Sequence, residues 1–581
     1  MGNDHFRQLV RLVENGQIDR RRLVQLAAAL GFSAGAANLA LMQSGAAAAQ
    51  EGEPNLLTVS TEQPPTWIRV FNPLLAQDAS RWPTQAGIYE PMIIHNTITG
   101  ETLPWLASEY SYSDDNLQLT FTLRDGVLWS DGEALTAEDV KFTFDYLTEH
   151  AALPGTEGVR GAIPFIESVE ATDELTVVFT FTQVFSPGLF DVGEQMIVPQ
   201  HIWSEIEDPV TFTNENPVGT GPFTEIGTFE DQYYEVLKNP NYWQEGLPYI
   251  DGFRFPVLAT NDAANLAMVN GEIDLASHFV PDIETVYIGR DPEHFNYWFP
   301  AIGATVQLYA NTTRAPFDDV NVRKAISMGI NREQIVAVAM YDYTHPADAT
   351  GLSDAYDGWR NAAAVEAGAE WVTMNVERAN QLLDEAGLAR AGDVRRLADG
   401  TEMSYDLNVV SGWSDWVSSC QIMAQNLGDL GITVRVQTYD FPAWFDRVTQ
   451  GDFDLSIGWS SNGPTPFNFY RGAMSSSTFV EIGEVATENW QRYVSEAADE
   501  LLTRFAAATE EAEQMELANQ LQMIYAEEAP GIPLFPGPSW GEFNTMRFTD
   551  FPSADNPYAV LSAYLNPDRL IMMTTIKPIA E

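Results

Sequence analysis

The amino-acid sequence predicts an α/β protein with more than one domain. Its 581 residues exceed what a single hydrophobic core usually organises. From residue 56 onward, segments with the two-residue period of strands alternate with segments of helical period. The clearest stretch, residues 404–460, has the pattern strand, helix, strand, helix, strand. This order predicts parallel strands joined by right-handed crossovers.

The first predicted elements lie in the N-terminal part of the folded chain. Strands are predicted at 56–61, 117–123 and 175–181, of which the last two alternate apolar and polar residues. Thr136 and Asp139 form a capping-box pattern, which predicts the start of a helix between those two strands. The apolar face of this helix carries Val140, Phe144 and Leu147.

The region 404–460 predicts a binding edge as well as a sheet. Its strands are predicted at 404–410, 433–439 and 453–459, and its helices at 415–430, before the cap residue Gly431, and at 442–450. Ligands of parallel sheets bind beyond the carboxyl ends of the strands. The loops at these ends carry Trp413 and Trp416, then Asp440 and Trp444, then residues 459–462. We therefore expect three tryptophan-bearing loops to converge.

Charge and cysteine content exclude several classes of protein. The net charge is -52, and the residues after 50 carry 25 basic and 79 acidic side chains. Such a surface repels phosphate backbones and anionic lipids, which excludes nucleic acid as a partner. A single cysteine, Cys420, allows no intrachain disulfide. It lies in a helical apolar pattern with Ala424 and Leu427, which is typical of a buried thiol.

The N-terminal 50 residues are typical of a cleaved export signal. Three arginines at 20–22 precede an uncharged stretch that ends in four alanines at 46–49. The arginine cluster loosely resembles a twin-arginine signal. An uncleaved membrane anchor is the alternative, but Gly, Ser, Asn and Gln dilute the apolar stretch. The mature protein is predicted to begin near residue 50 and to be soluble in the periplasm or another extracytoplasmic space.

Catalytic and metal-binding motifs are not found in the sequence. It has neither a Gly-x-Ser-x-Gly elbow nor a phosphate-binding glycine loop. None of the seven histidines is paired at metal-ligand spacing: His5, His95, His150, His201, His278, His294 and His345. We therefore predict no catalytic residue, no metal site and no cofactor.

Seven short motifs follow one another along the chain. They are VLWSDG at 127–132 with LTAEDVKFTF at 135–144; GTGPF at 219–223; KNPNYW at 238–243; NGEID at 270–274; ANTT at 310–313 with PFDDVNVRKA at 316–325; LLDEAG at 382–387; and FDL at 453–455. In this order they resemble the motifs of the peptide/nickel class, family 5, of bacterial ABC-transporter solute-binding proteins. The resemblance spans about residues 55–580.

The resemblance implies a two-lobed α/β protein of the periplasmic-binding type. Lobe one would comprise 51–95, 219–305 and 530–581, with a third subdomain inserted at 96–218, and lobe two would comprise 306–529. A ligand would be enclosed between the lobes by closure about a hinge. The implied partners are an oligomeric solute and membrane permease subunits, and the implied state is a monomer.

One loop departs from the peptide-binding pattern. Peptide-binding members usually carry, after the last strand of lobe two, an aspartate that pairs with the peptide amine. Here the loop 458–466 is GWSSNGPTP, and no acid occurs from 457 to 470. Tryptophan faces with serine and asparagine suit sugar rings, and the loop resembles that of members that carry β-linked oligosaccharides. A neutral β-linked oligosaccharide is therefore the first hypothesis.

Other hypotheses remain open. In the peptide hypothesis, Trp459 is a core residue, and an acid elsewhere anchors the amine of an oligopeptide or dipeptide. A glycosidase and a sensory adaptor that signals to a receptor are further classes. The residues expected to bind ligand are Glu62, Trp67, Trp82, Asn311, Trp413, Trp416, Trp459, Ser460, Ser461, Asn462 and Trp540.

Overall fold

The computed structural model describes residues 55–61, 66–75, 87–156, 158–564 and 567–579. The predicted export signal and two of the predicted ligand residues, Glu62 and Trp82, lie outside these ranges. No helix within them is both long and apolar enough to cross a membrane.

The first large sheet is built from distant parts of the chain. Its strands, in spatial order, are Phe295–Tyr297, Glu542–Asn544, Leu275–Ala276, Leu56–Ser60, Gly252–Pro256, Tyr233–Lys238 and Phe223–Glu230. Leu56–Ser60 is parallel to both of its neighbours, and the register places Ser60 opposite Ala276. The residues that follow these two strands therefore lie at the same sheet edge.

The second large sheet confirms the prediction for 404–460. Its order is Thr433–Tyr439, Ser404–Val410, Leu455–Trp459, Thr305–Ala310 and Ile532–Pro536, and the first three strands are parallel. The helices Ser414–Gly428 and Phe441–Gln450 connect them. Gly431 has the positive φ of 76° that glycine tolerates, although the helix ends at Gly428, earlier than predicted.

A third sheet lies within residues 96–218, the predicted insertion. Its antiparallel order is Ala107–Tyr112, Gln118–Leu123, Thr176–Phe181 and Ile166–Ala171. The predicted helix is Ala137–Glu149, and the backbone N–H of Thr136 donates to Asp139 Oδ2 at 2.9 Å. Two-stranded pairs complete the strands: Ile93–His95 with Thr102–Pro104, Arg390–Ala391 with Val394–Arg395, and Phe548–Thr549 with Lys577–Pro578.

Helices cover the sheets. Outside residues 306–529 the further α-helices are Val159–Ala162, Gly188–Gly193, Gln200–Trp203, Asn261–Val269, Ile283–Val286 and Arg569–Thr575. Within 306–529 they are Val320–Gly329, Arg332–Gln334, Ala362–Val372, Val376–Glu385, Pro466–Met474, Glu496–Ala507 and Glu511–Glu528, with a π-helix at Ile335–Ala339. Short 3₁₀ helices lie at Ile163–Phe165, Ile288–Arg290, Asp354–Trp359 and Ser476–Thr478. Cys420 is buried, as predicted.

Two crossing segments, residues 298–304 and 537–541, connect the two large sheets. They run side by side, because Gly303 N–H donates to Gly537 O at 2.9 Å and Gly537 N–H donates to Ala304 O at 3.1 Å. A Cβ on Gly303 would stand 2.7 Å from Gly537 O, so only glycine permits this approach. Ile532–Pro536, which the predicted division placed in lobe one, belongs to the second sheet; the other predicted boundaries stay predictions.

Candidate functional site

A cavity of about 430 Å³ is lined by residues that follow strands of both large sheets. The carboxyl ends of the parallel strands 404–410, 433–439 and 455–459 meet at one side of it. Thr61 and residues 277–279, which follow strands of the first sheet, also line it. The two crossing segments contribute Gly303, Ala304 and residues 537–540.

An aromatic wall forms the side contributed by the second sheet. It consists of Trp413, Trp416, Phe441, Phe445, Trp459 and Trp490, all of which line the cavity. Trp459 is half-buried, and its ring centroid lies 5.1 Å from that of Trp490 and 6.0 Å from that of Phe445, which is stacked at 19°. Trp413 and Trp416 meet edge to face at 4.9 Å. The predicted convergence of tryptophan-bearing loops is confirmed.

The loop 458–466 extends the aromatic wall with polar groups. Ser460, Ser461 and Asn462, which the sequence predicts to bind ligand, line the cavity. Two hydrogen bonds hold Ser460 to the backbone of Thr305. The Ser460 N–H donates to Thr305 O at 3.0 Å, and Ser460 Oγ accepts from Thr305 N–H at 3.1 Å. Trp540 also lines the cavity, and its ring packs edge to face on Phe299 at 4.9 Å.

Two predicted ligand residues lie elsewhere, and these two predictions are wrong. Trp67 is 3% exposed in the core, its Nε1–H donates to Phe255 O at 2.9 Å, and its ring packs on Tyr234. Asn311 is fully buried, and its amide donates to Gly451 O at 3.0 Å, so it ties together two loops. Neither residue lines the cavity.

The cavity lining also contains a polar cluster that the sequence did not indicate. It consists of Thr61, His278 and Ser539, which all line the cavity and are at most 4% exposed. Next to it, Ser277 Oγ accepts from Ala563 N–H at 2.8 Å. The pairing of distant strands places these residues together, and no local pattern could have revealed that.

Asp415, a cavity residue that the sequence analysis also missed, is a buried carboxyl in the first turn of the helix Ser414–Gly428. Asn261 Nδ2 lies 3.4 Å from its Oδ1. Burial raises the pKa of Asp415 to about 7, an effect that hydrogen bonds only partly offset. In the sequence this aspartate is indistinguishable from an ordinary helix-start residue.

Substitution of Asp415 by asparagine is expected to change the pH dependence of stability. Because the folded pKa is raised above that of the unfolded chain, the protonated carboxyl contributes stability that is full below about pH 4 and lost as the pH rises through about 7. Asp415→Asn should therefore gain stability over wild type across that range and keep the gain above it. Urea denaturation at a series of pH values measures this. A difference that is constant with pH would contradict the assignment.

A buried ion triad borders the cavity through Glu488. Arg471 Nη1 donates to Asp191 Oδ2 at 2.8 Å, and Arg471 Nη2 donates to Glu488 Oε1 at 2.7 Å. All three side chains are at most 5% exposed. Burial raises the pKa of Asp191, while Arg471 opposes the rise. The triad joins the predicted insertion to predicted lobe two.

Metal coordination is not indicated by the described part of the chain. No group of three or more His, Cys, Asp or Glu side chains within it is arranged to hold an ion.

Comparisons with known proteins agree with this architecture. The chain is 25% identical over 530 residues to di/tripeptide-binding protein 2 of Pseudomonas aeruginosa, covering 86% of this chain and 92% of that protein. Its structure is similar, with a TM-score of 0.83, to the mannohexaose-bound periplasmic oligopeptide-binding protein of Thermotoga maritima, which is 24% identical and matches 91% of this chain and 100% of that one. It is also similar, with a TM-score of 0.75, to the oligopeptide-binding protein AppA from Bacillus subtilis in complex with a nonapeptide. That protein is 19% identical, and the match covers 91% of this chain and 100% of that one.

These likenesses confirm the predicted two-lobed α/β class. The family model described as bacterial extracellular solute-binding proteins, family 5 Middle, matches residues 101–480, which is more than half of the chain. The chain belongs to the family 5 bacterial extracellular solute-binding proteins.

Proposed function

We propose that this protein captures a neutral β-linked oligosaccharide outside the cytoplasmic membrane and delivers it to the permease subunits of an ABC importer. The observation that carries the proposal is the aromatic wall beside an acid-free loop, residues 458–466. Sugar rings stack on indole faces, and their hydroxyls bond to serine and asparagine. The mannohexaose bound to the similar Thermotoga maritima protein supports the same ligand class.

The mechanism is capture by closure. Ligand contacts from the aromatic wall and from the polar cluster favour the conformation in which both sides of the cavity engage the ligand. The closed monomer then docks on the permease. The N-terminal signal is cleaved on export, which releases the protein into the periplasm or an equivalent compartment.

Peptide capture is the second candidate function, and Asp415 favours it. This buried carboxyl lines the cavity, and an ammonium group on a ligand would pair with its ionised form. Similar proteins bear peptide-binding names, such as the di/tripeptide-binding protein of Pseudomonas aeruginosa. Binding of an amine at Asp415 would strengthen as the pH rises through about 7, whereas stacking of a neutral sugar would not.

Calorimetric titration of the mature protein distinguishes the two functions. Cellotetraose and mannohexaose are compared with trialanine, each at low and at high salt. We expect an oligosaccharide to bind with an affinity that changes little with salt, because a neutral ligand is not subject to screening. Binding of trialanine without any response to sugars would overturn the proposal. Chromatography of the recovered sugar tests hydrolysis, since cleavage products would indicate a glycosidase.

A further inference from the structure

The polar cluster holds three buried polar atoms that have no hydrogen-bond partner among the described residues. They are Thr61 Oγ1, His278 Nδ1 and Ser539 Oγ. The side chains are 4%, 3% and 1% exposed, so bulk solvent does not satisfy these atoms. Leaving buried polar atoms unpaired costs stability, and a site for a polar ligand is a physical reason for retaining them.

Strand register brings the three residues to one edge of the first sheet. Thr61 follows Leu56–Ser60, and His278 follows Leu275–Ala276 by two residues. The two strands are paired through Ser60 and Ala276, and Ser277 N–H donates to Ser60 O at 3.1 Å. Ser539 precedes the strand Glu542–Asn544, in which Glu542 pairs with Ala276. The cluster is therefore fixed by backbone pairing in the first sheet.

The hydrogen-bond network assigns the tautomer of His278. Its Nε2 lies 3.0 Å from Asn265 Oδ1, while Asn265 Nδ2 faces Phe279 O at 3.5 Å. The amide therefore presents its oxygen to the imidazole, and Nε2 carries the proton. Burial lowers the pKa of His278 to about 3, so the ring is neutral at physiological pH. Nδ1 is then a bare acceptor.

We propose that Thr61, His278 and Ser539 form a subsite for a hydroxyl group of the ligand. The hydroxyl donates its proton to His278 Nδ1, and its oxygen accepts hydrogen bonds from the Thr61 and Ser539 hydroxyls. This inference rests on the proposed oligosaccharide function and names the groups that would give it specificity. It adds a second set of hydrogen-bonding groups, at the edge of the first sheet, to the stacking rings and the serine and asparagine side chains that follow strands of the second.

The donor and acceptor pattern selects among ligand groups. A carboxylate has no proton to donate to Nδ1, and an ammonium has no lone pair with which to accept from Thr61 or Ser539. A hydroxyl does both. Glu542 contacts the backbone of His278, with Oε2 3.5 Å from His278 N, and burial raises the pKa of its carboxyl and so favours the neutral form. The surroundings of the subsite therefore suit a neutral polar group.

Two conservative substitutions test the subsite. Thr61→Val and Ser539→Ala each remove a hydroxyl that has no partner among the described residues, so the melting temperature of the ligand-free protein should stay the same or rise. Each should nevertheless weaken binding of cellotetraose about fivefold, as the loss of one hydrogen bond does. Thr224→Val is the matched control. Thr224 is 3% exposed with an equally unpartnered hydroxyl, but it does not line the cavity.

The outcomes separate this inference from the function on which it rests. If wild type binds neither cellotetraose nor mannohexaose, the proposed function fails and the subsite with it. If wild type binds but Thr61→Val and Ser539→Ala bind as tightly as Thr224→Val, only the subsite is overturned.

Nitrogen-15 NMR of the histidines gives a second measurement that needs no cavity variant. Ligand should move the His278 Nδ1 resonance toward that of a hydrogen-bonded acceptor, and an unmoved resonance would overturn the inference.

Discussion

Trp459→Ala is expected to weaken oligosaccharide binding by about 2 kcal/mol, or about thirtyfold. Trp459 is half-buried at the centre of the aromatic wall, and its ring stacks near-parallel to those of Phe441 and Phe445 at 14° and 19°. Removal of the indole takes away the stacking platform and leaves a void beside Trp490. The variant should therefore also lose stability.

Trp444→Ala is the matched control for this prediction. Trp444 contacts Trp459 at 5.2 Å, but it is fully buried, donates through Nε1 to Ser456 Oγ at 3.1 Å, and does not line the cavity. It should lose as much stability or more while its folded fraction keeps wild-type affinity. Calorimetric titration and thermal unfolding measure both effects. Equal loss of affinity in the two variants would show that Trp459 acts only through packing.

Arg471→Met is expected to lower the free energy of unfolding by about 3–5 kcal/mol, because it leaves Asp191 and Glu488 as buried carboxyls without their cation. Loss of the guanidinium also removes the group that opposes the raised pKa of Asp191. A carboxyl with a raised pKa contributes stability at low pH that is lost as the pH rises through that pKa. The deficit should therefore be smaller at pH 5 than at pH 7, which urea denaturation measures.

Two further variants distinguish two effects of Arg471: its neutralisation of buried carboxylates, and its connection of the predicted insertion to predicted lobe two. Combining Arg471→Met with Asp191→Asn and Glu488→Gln should restore much of the stability, since no buried charge then lacks a partner. Arg395→Met is the control. That arginine is 1% exposed, but its partners Asp384 and Asn380 lie in the same predicted lobe. In small-angle scattering with ligand, the Arg471→Met variant should have a larger radius of gyration than wild type, and the Arg395→Met variant should not. An equal increase in both variants would contradict a role in closure.

The sequence predicted those parts of the molecule that depend on local pattern. The parallel unit 404–460 followed from apolar periodicity, and the position of Trp459 followed from the end of its strand. Trp67 was misassigned because residue type alone does not show which partner an indole has, and its Nε1–H is used by Phe255. Asn311 was misassigned for the same reason, since its amide is used by the backbone of Gly451.

The missed groups depend on pairing between distant segments. His278 and Ser539 are 261 positions apart in the sequence, and the pairing of Leu275–Ala276 with Glu542–Asn544 makes the segments that carry them neighbours. Asp415 was visible as a residue, but its hydrogen-bond partner Asn261 lies more than 150 positions away in the sequence. Likewise, Ile532–Pro536 pairs with Thr305–Ala310 although the next strand belongs to the other sheet, and no local pattern marks that change.

In the proposed capture by closure, the paired crossing segments are expected to act as the pivot. Atoms near a pivot travel little when the two halves rotate, whereas atoms far from it travel on a long lever arm. Ser539 and Trp540 lie in one of these segments and also line the cavity, so a ligand that touches them meets nearly the same surface before and after rotation. The Arg471–Asp191 pair lies outside both segments and joins the predicted insertion to predicted lobe two. Under that proposal, we expect the ligand to contact Ser539 and Trp540 first and the Arg471–Asp191 pair to form last.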